Sequence, residues 1–229
     1  MTIPKIPNFI DAETQIRFEK IVVGENPDKV LFALHGYGAS ADNLLTVVNG
    51  ILHPNTVYII PNGLEVCEGN GPINAIPNSG RQWFGVQNLA TNVIAPKVAS
   101  VTKILMHFIT NQLNNLDIPM SKTVVFGFSQ GAILASSLGV SAFPSLGGII
   151  ACSGCVMPID EERIISFTPQ TLIHGKQDNI LPCIASETGL AELKQSGIDA
   201  EGYFLEDLKH SISNEVIQII NKQLIKYWK

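Results

Sequence analysis

The sequence predicts an α/β protein with a largely parallel central sheet and helices on both of its faces. Three observations point there. Apolar, β-rich runs recur along the whole chain, several of them continuous rather than alternating, as strands covered on both faces require. Helical patterns fall between those runs, which is the signature of βαβ units. One run, Val124 to Phe126, passes straight through the corner Gly127-Phe128-Ser129-Gln130-Gly131 into an alanine-rich helical pattern.

Taken in chain order, the expected strands are FEKIVVG, VLFALHG, TVYIIPNG, TVVFGFS, GGIIACSG, QTLIHGK and EGYFLED. Asp42, after VLFALHGYG, reads as the N-cap of the next helix. A long helix is expected from about Asn92 to Leu116, with Val98, Val101, Leu105, Phe108 and Ile109 on one face and Pro96 tolerated near the first turn. The last helix starts near Ser213, a suitable N-cap, and sets Val216, Ile219, Ile220, Leu224 and Tyr227 on one stripe. The longest irregular stretch runs from Pro61 to Gln87, and loops of that length in a compact domain are usually functional or disordered. No repeat or linker divides the chain, so residues 1–229 are expected to form one domain.

Composition narrows the function. A net charge of -5 and a pI near 5.5, with no basic run, argue against nucleic acid as a partner. The N-terminus lacks a secretory pattern, and no apolar run approaches the ~20 residues that span a bilayer, so a cytoplasmic protein without an integral membrane segment is expected. Four scattered cysteines do not make a disulfide framework. Cys152 and Cys155 form a C-x-x-C, but it closes an apolar strand rather than opening a helix, and two small residues at a strand end account for it.

The corner around Ser129 carries the chemistry. A strand running directly in and a helix directly out is what a nucleophile elbow needs, and glycine at 127 and 131 lets the backbone pack closely around it. A serine hydroxyl attacks only when a base removes its proton, and histidine is the usual base. Two histidines follow, His174 and His210. His174 lies inside a strand end, whereas His210 lies between the last strand and the last helix, where this architecture places its base. The acid belongs between serine and histidine in the chain and beyond a strand end, which selects Asp178. Asp160, Glu161 and Glu162 sit in a polar turn, and Glu206 and Asp207 stand too near His210 in sequence. Two backbone N–H groups are needed for the oxyanion: Gln130, after the serine, and Tyr37, in the glycine-rich HGYG loop. His35 reads as a buttress of that loop.

Together these residues resemble the phospholipase/carboxylesterase family, which includes the acyl-protein thioesterases. The resemblance rests on LHGYG with Asp42 downstream, IIPNG, RQWF, GFSQG, HGKQDNILP and HSIS, in order from about residue 17 onward. It implies an α/β-hydrolase fold without a separate lid domain, no metal and no organic cofactor, and hydrolysis of carboxylic esters or thioesters. It also implies that Trp83 lines the mouth of the site. Three residues depart from the pattern: Gly85 after Phe84, Lys209 before His210, and Tyr37 in place of a leucine. None of them removes a catalytic group. Ile180 and Leu181, beside Asp178, are candidates for a hydrophobic acyl groove. With no sequence spare for a cap, the expected partners are small-molecule esters of short-to-medium acyl chains, lysophospholipids or acylated surfaces, handled by a monomer or homodimer.

Overall fold

The computed structural model describes residues 6–67, 80–88, 90–142, 144–159 and 165–229. Its strands are β1 (Ile6–Ile10), β2 (Arg17–Val23), β3 (Lys29–Leu34), β4 (Thr56–Pro61), β5 (Glu65–Val66), β6 (Arg81–Gln82), β7 (Thr123–Phe128), β8 (Gly148–Cys152), β9 (Gln170–Gly175) and β10 (Ala200–Leu205). Its α-helices are α1 (Ala41–Asn49), α2 (Thr91–Leu116), α3 (Gln130–Ser141), α4 (Ile184–Gln195) and α5 (Asn214–Tyr227).

Eight strands form one sheet in the order β1-β2-β4-β3-β7-β8-β9-β10. β1 pairs antiparallel with β2 and β2 with β4, and every pairing from β4 to β10 is parallel. All seven strands expected from the sequence are present. The central ones are buried throughout, which explains their unbroken apolar runs. β1 was not expected: IPNFI is short and carries Pro7, a residue that sheets tolerate at an edge, which is where β1 lies.

The two faces have separate cores. Val98, Val101, Leu105, Phe108 and Ile109 of α2 pack with α3 and with Leu193 before the end of α4 on one face. Val48 of α1 and Val216, Ile220, Leu224 and Tyr227 of α5 cover the other. The α5 stripe matches expectation except at Ile219, which is only half-buried. The Ser213 hydroxyl accepts the Val216 N–H, so it caps α5.

Three local expectations need correction. The N-cap of α1 is Ser40, whose N–H donates to Asn43 Oδ1, while Asp42 sits in the first turn where its charge meets the helix dipole. α2 begins at Thr91, which makes Pro96 its sixth residue, so the proline stands in the second turn and removes the N–H that would bond the Asn92 carbonyl. Finally, the 61–87 stretch is partly regular. β5 and β6 pair antiparallel, and residues 68–79 of the stretch lie outside those described. Asp160, Glu161 and Glu162 also lie outside them.

α2 is the one described helix long and apolar enough to cross a membrane by length and composition. A buried stripe from Ile94 to Leu113 fastens it to the core, with Lys103 and His107 exposed on the other side. The connections after all six parallel strands leave from their carboxyl end, and those after β3, β7, β9 and β10 carry the candidate site residues. In open sheets that end is where sites are built.

Candidate active site

Ser129 sits between the last residue of β7 and the first of α3, at φ 54° and ψ −117°. A non-glycine residue there carries strain of roughly 1–3 kcal/mol, and the surroundings hold it in place. Its N–H donates to the Cys152 carbonyl (2.9 Å), and its carbonyl accepts from Ala132 (2.9 Å) and Ile133 (3.2 Å). The flanking glycines follow from the same crowding. A Cβ at Gly127 would run into the Gly131 carbonyl oxygen, and one at Gly131 into the Leu34 carbonyl oxygen.

From Ser129 a hydrogen-bonded chain leads inward. Ser129 Oγ lies 3.0 Å from His210 Nε2, and His210 Nδ1 lies 2.7 Å from Asp178 Oδ2. A carboxylate oxygen only accepts, so Nδ1 carries the hydrogen and Nε2 presents its lone pair to the serine hydroxyl. The Asp178 side chain is fully buried and accepts at Oδ1 from the Ile180 and Leu181 N–H groups (2.9 Å each). Burial raises its carboxyl, but hydrogen bonds from Leu181, His210 and Ile180 outweigh that, and it rests below the usual range. The Phe128 ring lies against His210, centroids 4.9 Å apart.

His174, the other histidine after Ser129, is fully buried behind this chain. Its Nε2 meets Asp178 Oδ2 (3.2 Å) and the Leu181 carbonyl (2.9 Å), and its Nδ1 meets Ser186 Oγ (2.7 Å). It steadies Asp178 and does not reach Ser129. Glu206 and Asp207 are engaged elsewhere, with Lys176 and Gln177.

The loop after β3 closes over the serine. Gly36 lies so close that a Cβ there would stand 3.2 Å from Ser129 Cβ. Tyr37 shares with Ser129, His210, Asn179, Ile180 and Lys209 a cavity of about 400 Å³. Next to Ser129, Gln130 opens α3, and first-turn N–H groups have no acceptor within their own helix.

The profile of the phospholipase/carboxylesterase family matches residues 18–228. The chain belongs to this family. Among its relatives are an Escherichia coli esterase, YpfH, 28% identical over 86% of this chain and 83% of its own, and a Dictyostelium discoideum acyl-protein thioesterase 1 homolog, 27% identical over 86% and 89%. Among solved structures, esterase PE8 superposes with a TM-score of 0.82 at 26% identity, covering 99% of this chain and 98% of that one. Arabidopsis thaliana SOBER1, at 23% identity, shares the fold with a TM-score of 0.75 over 88% of this chain and 99% of its own. The fold is that of the α/β-hydrolase esterases, and the chain is a serine hydrolase of the carboxylesterase/thioesterase type.

Within this family frame, two expected site residues lie elsewhere. Trp83 is 1% exposed and does not line the cavity at Ser129. Its indole N–H donates to the His35 carbonyl (2.8 Å), so it braces the loop from beneath. Leu181 does not line the cavity either. Its backbone faces Asp178 and His174, while Ile180, 47% exposed, keeps its side chain at the opening.

The sequence reading also missed a brace. The Gln130 side chain accepts the Trp83 N–H (2.8 Å) and donates to the Phe84 carbonyl (2.8 Å), clamping RQWF to the elbow. Arg81 donates to the Gly63 and Leu64 carbonyls and exchanges backbone bonds with Gly38 and Ala39. His35 completes it: Gly63 N–H donates to Nε2 (2.8 Å), so Nδ1 carries the hydrogen toward the Gly36 carbonyl (2.7 Å). Burial keeps His35 neutral, its pKa pulled down to about 4. The RQWF motif marks the segment, but nothing in the sequence shows that its aromatics are buried or that Gln130 and Arg81 hold it.

Cys152 ends β8 and is buried, and burial drives its thiol well above the ordinary range and that of Cys155 to about 11. Neither is a thiolate at neutral pH. Among the described residues, no group of three or more His, Cys, Asp or Glu is placed to hold a metal ion.

Proposed function

We propose that this protein hydrolyses carboxylic esters or thioesters of short-to-medium acyl chains through an acyl-Ser129 intermediate, with His210 as base and Asp178 as acid. The observation that carries the reading is the hydrogen-bonded chain Ser129–His210–Asp178, opening on a cavity that the Gly36-Tyr37 loop borders. In the first step His210 Nε2 takes the hydroxyl proton as Ser129 Oγ attacks the carbonyl carbon. Asp178 holds the ring in that tautomer and steadies its positive charge. The Gln130 and Tyr37 N–H groups bind the oxyanion, and His210 returns the proton to the departing alcohol or thiol. Water then attacks the acyl-serine with the proton moving the same way, releasing the acid and restoring Ser129.

The size of the cavity and the exposed Ile180 favour acyl groups of modest length. The Dictyostelium relative named as an acyl-protein thioesterase homolog brings acylated surfaces into the substrate class. The test is hydrolysis of p-nitrophenyl esters from acetate to palmitate by the native protein and Ser129→Ala. Clear native turnover, lost in the variant and peaking at short or medium chains, supports the proposal. Equal activity of the two proteins removes Ser129 from the mechanism, and inertness of both points to a hydrolase fold that binds without cleaving.

A further inference from the structure

The cavity at Ser129 has a charged wall that the proposed chemistry does not use. Besides His210, the charged side chain among its lining residues is Lys209, and Asn179 adds an amide next to Asp178. Both ride on the loops that present His210 and Asp178, so their positions are tied to the reacting groups by one peptide unit each. Lys209 is exposed. The nearby acids are committed elsewhere, Glu206 to Lys176 and Asp207 to Gln177, and among the described residues Lys209 makes no ion pair. The remaining wall is formed by Ser129, Tyr37, Gly36, Ala39, Phe128 and Ile180, none of which carries a charge. A lysine on the lining of this cavity, unpaired among the described residues and on a protein whose net charge is -5, is a local attraction for a negative group.

We propose that Lys209 is a specificity residue, and that the favoured substrates are esters or thioesters carrying an anionic group, a carboxylate in the simplest case, close to the scissile bond. This rests on the reading of Ser129 as nucleophile and narrows its substrate class. A flexible exposed ammonium offers a modest gain: the upper end for a solvent-exposed ion pair corresponds to about fivefold in kcat/KM. The gain is expected in KM, because the attraction is felt equally by bound substrate and transition state.

Two matched pairs of esters test it, each differing by one charge. Mono-p-nitrophenyl adipate against its methyl ester places the charge on the acyl side. The butyrate ester of 4-hydroxybenzoate against that of methyl 4-hydroxybenzoate places it on the leaving side. The readout is the ratio of kcat/KM, charged over neutral, within each pair. In at least one pair, Lys209→Met is expected to lower the ratio about fivefold, Lys209→Glu to lower it further, and Lys209→Arg to preserve it. The native ratio should also fall as ionic strength rises from about 0.01 M to about 1 M, where screening shortens from roughly 30 Å to roughly 3 Å. Ratios that stay fixed in both pairs overturn the proposal, as does an equal loss on charged and neutral esters, which assigns Lys209 to loop support alone. Ser129→Ala reports separately: if it keeps turnover of the neutral esters, the nucleophile reading has failed rather than the charge preference.

Discussion

His35 offers a quantitative test of how the loop beside Ser129 is held. Its ring is fully buried, accepts the Gly63 N–H at Nε2 and donates from Nδ1 to the Gly36 carbonyl. A proton on Nε2 would set two donors against each other, and burial together with the nearby Arg81 charge opposes it, so the pKa falls from 6.5 to about 4. In the unfolded chain His35 binds its proton first as pH drops. The native state therefore keeps the full contribution of neutral His35 above pH 6.5 and loses it as pH falls toward 4. At 1.36 kcal/mol per pKa unit, the loss over that window is roughly 3 kcal/mol, a sizeable share of a typical stability of about 5–15 kcal/mol.

The assay is urea unfolding of the native protein and His35→Gln at pH 7.5, 6.5, 5.5 and 4.5. Glutamine offers an acceptor for Gly63 but no titrating ring, so contributions from all other groups cancel in the difference. The variant should be less stable at pH 7.5, and the gap should close by roughly 3 kcal/mol by pH 4.5. The carboxyls of Asp11 and Asp178, both held below 3.8, lose their native advantage at lower pH and leave the window clean. A gap that stays constant across the series would falsify the neutral, accepting state of His35.

Three further outcomes follow from the same geometry. Gln130→Leu strands the Trp83 N–H and the Phe84 carbonyl in the interior; at about 1–3 kcal/mol for each buried orphan, melting should drop by roughly 5–15 °C, and an unchanged melting temperature dismisses the clamp. Gly131→Ala sets a methyl group against the Leu34 carbonyl oxygen and should cost about 1–3 kcal/mol with a larger proportional loss of esterase rate; a variant of native stability and rate would show that the contact relaxes freely. Asp178→Asn should fold and yet lose on the order of 10³-fold or more in kcat, since an amide no longer enforces the Nδ1–H tautomer of His210, and a loss below tenfold would leave Asp178 without the role proposed for it.

Legibility differed sharply between kinds of feature. Strands β3, β4 and β7 to β9 were readable because burial on both faces writes continuous apolar runs, β2 and the edge strand β10 because short β-rich runs end at turn residues, and Ser129 because a strand, a tight corner and a helix abut in one short segment. Asp178 and His210 were readable through chain order and their positions after strands, although nothing local in the sequence shows that they meet. The brace was readable only at His35, expected to buttress the loop. Gln130, Trp83 and Arg81 join it through hydrogen bonds spanning up to 48 residues of sequence, and side-chain-to-backbone bonds of that kind leave no periodicity. Trp83 was expected at the mouth through the family resemblance, and nothing in the residues themselves shows that this loop aromatic is buried. Asp42 and Ser40 both suit an N-cap, and only the Ser40–Asn43 bond decides between them.

The site divides into a stiff part and a soft part, and the division follows function. Gly127 packs on the Gly131 carbonyl and Gly131 on that of Leu34, with no room for a methyl group, and a methyl at Gly36 would press on the Ser129 and Phe128 side chains, so the ends of β3 and β7 and the start of α3 are closely packed around Ser129. That block holds Ser129 in its strained conformation, and for the nucleophile proposed above a displacement by even an ångström is costly in rate. Asn179, Ile180 and Lys209 have exposed side chains on the same cavity, with one chain neighbour each, Asp178 or His210, tied into the hydrogen-bonded chain, or, for Ile180, Asp178 through its own backbone. Their side chains can change without moving the block. Substitutions at these three positions should therefore alter which ester is preferred while melting temperature holds, whereas substitutions at Gly127, Gly131 or Gly36 should lower both stability and turnover for every ester alike.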